Sequence, residues 1–187
     1  MEDSARPQDE LLVAVRKGCA VVKVNGRGSF KVGPTLKRFG ATVIGKGCAR
    51  IIFDMEQCVA MDSTFMGVLA GLALRVQRER EDGQVVAMNL TPKTASLLQT
   101  LGLDRLIECY QVGALPETLQ VCMANTLELE DLDATGGDKR ESVETMLEAH
   151  QDLVEASPEN LIRFRDVIAY LDQDLHGLED SKSLSRP

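Results

Sequence analysis

Ile51-Ile52-Phe53-Asp54, a loop, then Met61-Asp62-Ser63-Thr64-Phe65-Met66-Gly67-Val68-Leu69 is the stretch on which the fold turns. Its first part is a nearly continuous apolar run, the kind a strand shows when a sheet buries both its faces. Its second part changes period: Phe65, Val68, Leu69, Leu72 and Val76 recur at helical spacing until the charged residues 78–82 and Gly83. A buried strand followed by an amphipathic helix is half of an α/β crossover. Working outward, Leu11–Val15 and Cys19–Val24 are two apolar runs split by Lys17-Gly18 and read as a hairpin, with 25–29 ending the second strand. Leu36, Phe39 and Val43 share a helical face before Gly45 and Gly47. Downstream, Val85–Met88 is another short strand, Pro92 opens a helix that stops at Gly102, and Leu106–Tyr110 is the last strand. Residues 116–123 suit one more helix. The order is β-β-α-β-α-β-α-β-α, which predicts an α/β fold: a mixed β-sheet with helices packed on it.

The remainder of the chain has a different character. Of 187 residues, the first 113 carry 15 basic and 12 acidic side chains, net +3, and the rest carry 6 and 17, net −11. Such asymmetry marks two kinds of segment joined together. Residues 124–137 read as an acidic linker. Val143, Met146, Leu147, His150 and Val154 then form one amphipathic stripe, and Leu161, Phe164, Ile168, Leu171 and Leu175 a second, divided by Ser157-Pro158 and closed by Gly177. This predicts a C-terminal helical hairpin at 138–177. Residues 1–10 read as a flexible arm, 11–123 as the α/β domain and 178–187 as a disordered tail. Both stripes are too large to be left in water. The hairpin therefore needs a second surface, and docking in cis on the more basic domain is favoured over a homo-oligomer formed through the hairpin as a four-helix bundle and over reception of a partner helix.

Composition excludes several classes. No apolar run approaches the ~20 residues of a membrane span, and the acidic start lacks a signal-peptide core, so a cytoplasmic protein with no membrane association is expected. An acidic half and few aromatics argue against nucleic acid. Five dispersed cysteines (Cys19, Cys48, Cys58, Cys109, Cys122) without a CxxC, and two distant histidines, give no metal or disulfide framework. No cofactor is implied. Gly26-Arg27-Gly28 lacks the lysine and spacing of a phosphate loop and reads as a turn. Asp54 and Asp62 are a carboxylate pair on paper, but a strand-end and a helix-start residue fit them better. No catalytic constellation emerges. Asp62-Ser63-Thr64 is set apart by its place at a loop–helix junction, where hydroxyl and carboxylate oxygens accept from unpaired helix N–H groups and added negative charge is tolerated.

On Ile51–Asp54, Met61–Leu69, Gly83-Gln84-Val85-Val86, Leu90-Thr91-Pro92, Leu101-Gly102-Leu103 and Leu106-Ile107, residues 11–123 resemble a STAS domain of the bacterial anti-sigma factor antagonists. That family carries an Asp-Ser-Ser/Thr-Gly-Leu-Gly motif at the strand–helix junction and a later Leu/Ser-Gly-Leu turn. Asp62, Ser63, Thr64 and Gly67 match the motif; Phe65 and Met66 replace its glycine and leucine.

The resemblance implies that Ser63 is the phosphorylation site, with Thr64 a weaker second choice, and that Asp62, Ser63, Thr64, Phe65, Met66 and Gly67 form a partner-binding face on which Phe65 is partly exposed. It implies a non-enzymatic protein that acts by partner switching. Unphosphorylated, it would sequester an anti-sigma serine kinase of the ATP-binding type and release a sigma factor; phosphorylation would end the complex and a phosphatase would reset it. The alternative is a structural subunit of a stressosome-like or other signalling assembly.

Overall fold

The computed structural model describes residues 9–16, 18–114, 116–117, 119–120, 129–132 and 138–183. Strands β1 (Glu10–Arg16) and β2 (Cys19–Gly28) form the antiparallel hairpin, with Gly18 at φ +78° in its turn. Helix α1 (Gly33–Gly45) follows, then β3 (Arg50–Asp54), β4 (Cys58–Met61), α2 (Ser63–Glu79), β5 (Gln84–Leu90), α3 (Pro92–Thr100), a single 3-10 turn (Leu103–Arg105) and β6 (Glu108–Gln111). The chain continues through β7 (Glu130–Asp131), α4 (Lys139–Ala156) and α5 (Asn160–Ser183).

The sheet order is β6-β5-β3-β2-β1-β7, with β4 beside β2. The β2–β3, β3–β5 and β5–β6 pairs are parallel, and β1 is antiparallel to both β2 and β7. The fold is the mixed α/β sheet with packed helices that the apolar runs predict. Ile51, Ile52 and Phe53 are all fully buried, as their unbroken hydrophobicity requires. Their faces diverge: Ile51 and Phe53 join the main core under α1 and α2, while Ile52 joins Val21, Val86, Met88 and Leu119 on the other face.

Five boundaries differ from the sequence reading, the smallest being β6, which begins at Glu108 rather than Leu106 because the 3-10 turn before it is capped by Leu106. β2 does not end at Val24 but runs to Gly28, because a register shift at Gly26–Arg27, with Gly26 at φ +75°, absorbs the glycines as a bulge. The loop after β3 contains β4, too short to show a period, which pairs with the prolonged end of β2. Within the acidic 124–137 stretch, Glu130 and Asp131 pair with Val13 and Leu12 at the sheet edge, and Leu132 packs on the core. Carboxylates suit an exposed edge strand that must not recruit another. Lastly, α5 does not stop at Gly177 but continues to Ser183, taking in part of the expected tail. Residues 117, 119 and 120 are helical; the rest of the helix expected to reach 123, Cys122, most of the linker and residues 1–8 and 184–187 lie outside the described residues.

Candidate functional site

The junction between β4 and α2 is tied down by Asp62. Its backbone is extended (φ −95°, ψ 172°), and its Oδ1 accepts from Phe65 N at 2.8 Å, capping α2. Oδ2 accepts from Phe30 N at 2.7 Å, and Asp62 N donates to Gly28 O at 3.0 Å. One carboxylate thus joins the start of α2 to the end of β2. Ser63, half-buried, is the first residue of the helix, where the free N–H groups and the helix dipole favour negative charge.

The other four residues of the expected face turn inward. Phe65 is not partly exposed; it is fully buried, because it shares the core-facing stripe with Leu69, Leu72 and Val76. Its ring lies over Gly28 so closely that a Cβ there would stand 2.5 Å from a ring carbon. The glycine in β2 makes the space that the phenylalanine fills. Thr64 and Met66 are 5% exposed, and Gly67 is buried under a second helix. A contact role for Phe65 in this conformation is therefore overturned.

That second helix is α4, which lies along α2 from its first residue to its last turn. Ser63 meets His150, Gly67 meets Ala149, Gly71 meets Asp152 and Arg78 meets Glu155. A Cβ on Gly67 would stand 2.2 Å from the Ala149 carbonyl oxygen, so only glycine admits the helix there. Leu153 is fully buried, and with Ala149 it extends the main core. The opposite face of α4 packs on α5 through Val143, Leu147 and Leu171. Asn160 locks the turn between them, its buried Nδ2 donating to both Leu101 O and Leu153 O at 2.9 Å. Leu161, placed on the buried stripe by its spacing, is 51% exposed, since the start of α5 is held by Asn160 and Phe164 instead.

Charge lines the seam. Glu141, Glu148 and Glu155 recur every seventh residue on one side of α4 and pair with Arg38, Lys37 and Arg78. Asp152 sits between these pairs; burial, then the neighbouring Glu148 and Glu155, pushes its carboxyl up to about 6 against the pull of Lys37 and Arg78.

At the centre is a contact with no sequence signature. Ser63 Oγ lies 3.0 Å from Nε2 of His150, which is 4% exposed. His150 Nδ1 lies 2.7 Å from the Met146 carbonyl oxygen, which can only accept. In the neutral ring the proton is therefore on Nδ1, and Nε2 takes the Ser63 O–H as acceptor. The ring edge packs on Phe164, centroids 5.0 Å apart. The only hint in the sequence is a histidine on an apolar stripe.

The remaining candidates are structural. Asp54 Oδ1 accepts from Glu56 N and from Asn89 Nδ2 at 2.8 Å, holding the left-handed Asn89 (φ +56°) rather than facing Asp62. Burial pushes the thiols of Cys48 and Cys58 up, and that of Cys109 to about 11, so all three stay protonated at neutral pH. Among the described residues, no cluster of His, Cys, Asp and Glu is arranged to hold a metal ion, and no helix is long and apolar enough to cross a membrane.

The family model of the STAS domain matches residues 10–114. The chain belongs to the STAS-domain family. Its STAS fold is similar to the solution structure of the Thermotoga maritima protein TM1081, at 15% identity and TM-score 0.50, covering 60% of this chain and 85% of that one. It is also similar to unphosphorylated SpoIIAA, an anti-sigma factor antagonist from Bacillus (21% identity, TM-score 0.44, 62% and 98% covered). A sulfate transporter family protein from Wolinella succinogenes matches at 17% identity and TM-score 0.48 (59% and 92%). The likeness to TM1081 is one of fold alone. No curated protein matches the sequence. The α4–α5 hairpin lies beyond the matched STAS segment.

Proposed function

We propose that this STAS protein is an anti-sigma factor antagonist that switches partners through Ser63. In its unmodified form it binds an ATP-dependent anti-sigma serine kinase in the cytoplasm and so frees a sigma factor. The kinase transfers the γ-phosphoryl group to Ser63 Oγ, whose proton leaves as the O–P bond forms and the bond to ADP breaks. A phosphatase restores the hydroxyl. The protein is substrate and binder, not catalyst.

The observation that carries this reading is the placement of Ser63. Its hydroxyl stands at the first turn of α2, half-buried rather than enclosed, beside an aspartate already committed to capping. A phosphate there gains from the helix N-terminus, so the domain stays folded, while the added charge of about −1.5 to −2 changes any surface that must dock on it. Thr64 is buried and a poorer acceptor. The test is incubation of the full chain with ATP and the ATP-binding anti-sigma kinase encoded nearest its gene, followed by phosphopeptide mapping. Phosphate on Ser63 is expected; phosphate elsewhere with Ser63 clean overturns the reading.

A structural role in a signalling assembly is the second reading, favoured by the outer side of α5. Ile162, Val167 and Tyr170 are 84%, 40% and 67% exposed there. Light scattering separates the two: a large homomeric particle supports assembly, and a stoichiometric pair with a kinase supports switching.

A further inference from the structure

The proposed partner face of the STAS domain is already occupied. Helix α4 covers Gly67 and Gly71, and its His150 holds the Ser63 hydroxyl. We infer that α2 and α1 form a docking groove for an acidic helix, that α4 is its occupant in cis, and that a protein partner gains the groove by displacing α4 with an acidic helix of the same character. The inference rests on reading α2 as a partner-binding face.

Three properties define the groove. Its floor is glycine, at Gly67 and Gly71, so a visiting helix must place a small residue where Ala149 sits. Its wall is apolar, since Val68 and Leu72 line the seam beside Ala149. Its rim is basic, with Lys37, Arg38 and Arg78 spaced to meet carboxylates seven residues apart. An acidic amphipathic helix satisfies all three, and a basic or bulky one fails on charge or shape.

The cis occupant is built to be replaceable. The ion pairs that steer it are partly exposed, and exposed pairs contribute little to holding a complex closed. A cleft of about 230 Å³ remains along the seam, bordered by Arg75, Arg78, Thr145 and Asp152. Asp152 also brings a half-buried carboxylate into the contact, where its side chain abuts Gly71. What favours α4 is its tether. A linked helix competes at an effective concentration on the order of millimolar, which a partner overcomes only with a better-fitting helix or a larger footprint.

The test uses the full chain and a fluorescein-labelled synthetic peptide of residues 138–157. Leu153→Asp in the protein removes the apolar anchor of α4; Glu148→Lys with Glu155→Lys, both at the surface, weakens the hairpin without touching the core. Leu153→Asp should bind the peptide about tenfold or more tightly than the unaltered chain, and the double charge reversal more tightly by a smaller factor, because the tethered competitor is weakened. A peptide carrying Ala149→Leu should not bind, since Gly67 leaves it no room. A lock completes the set: a Cβ on Gly71 would lie 3.7 Å from that of Asp152, within the disulfide range of roughly 3.5–4.5 Å. Gly71→Cys with Asp152→Cys, placed in the Glu148→Lys/Glu155→Lys protein, should lose peptide binding on oxidation and regain it on reduction. Equal affinity of the unaltered and weakened chains, full binding of the Ala149→Leu peptide, or indifference to the lock would each overturn the inference. The assay uses neither kinase nor phosphate, so its failure is distinct from a failure to phosphorylate Ser63.

Discussion

Ser63 Oγ and His150 Nε2, 87 positions apart in the chain, stand 3.0 Å from each other and join the STAS domain to its C-terminal hairpin at the proposed phosphorylation site. The hydroxyl a kinase would modify is the hydroxyl that helps hold the cover down. The two events compete for one oxygen, so the state of the hairpin and the state of Ser63 are coupled.

That bond should be measurable. Ser63→Ala and His150→Ala, singly and together, form a double-mutant cycle read by urea denaturation. The coupling energy should be about 0.5–1.5 kcal/mol, the net worth of a partly buried neutral hydrogen bond. Additive single effects would show that the contact contributes nothing.

Phe65 is expected to behave as core. Phe65→Ala should cost about 3–5 kcal/mol of unfolding free energy. Gly28→Ala should also destabilise, because its methyl meets the ring, and should cost far less when Phe65 is already alanine. A loss below about 1 kcal/mol for Phe65→Ala would return the ring to the surface, where most substitutions have small effects.

Asp152 makes the hairpin pH-dependent. Its carboxyl is raised to about 6 from 3.8, so the native state binds more protons than the unfolded state across that interval. Stability therefore falls as pH rises from about 4 to 6 and levels off above. Glu148 and Glu155 on its own helix, Lys37 on α1 and Arg78 on α2 are the charges that act on it. Asp152→Asn should melt higher than the unaltered chain at pH 7.5, with the gain shrinking at pH 5. Parallel melting profiles across that range would refute the assignment.

Asn160 should anchor the turn between α4 and α5. Asn160→Ala removes a buried donor from the carbonyls of Leu101 and Leu153, of which Leu153 keeps Ser157 N–H. A loss of about 1–3 kcal/mol is expected, with faster hydrogen exchange in 139–156 than in β3. Uniform exchange in both segments would mean that the hairpin and the sheet open together.

Much of this is legible in the amino-acid sequence. The unbroken hydrophobicity of Ile51-Ile52-Phe53 can be satisfied only between two covered faces, and the change of period at Asp62 marks a helix start by its own hydrogen-bonding chemistry. Those local features, repeated along the chain, determine the STAS sheet and place Ser63 at the head of α2. The charge contrast between the two parts of the chain likewise anticipates the Lys37, Arg38 and Arg78 contacts.

What the tertiary structure alone decided is which side of each helix is covered. Val143, Met146 and Leu147 declare a stripe by hydrophobicity, and it faces α5. The stripe that meets α2 is Thr145, Ala149, Asp152 and Leu153, small and polar for most of its length, and hydropathy does not reveal it. Close approach of two helices requires small residues on both, and smallness reads as nothing in a sequence until its partner is known. The same holds for Phe65, whose burial depends on a missing side chain at Gly28, and for Ser63 and His150, whose bond exists because the two helices run side by side.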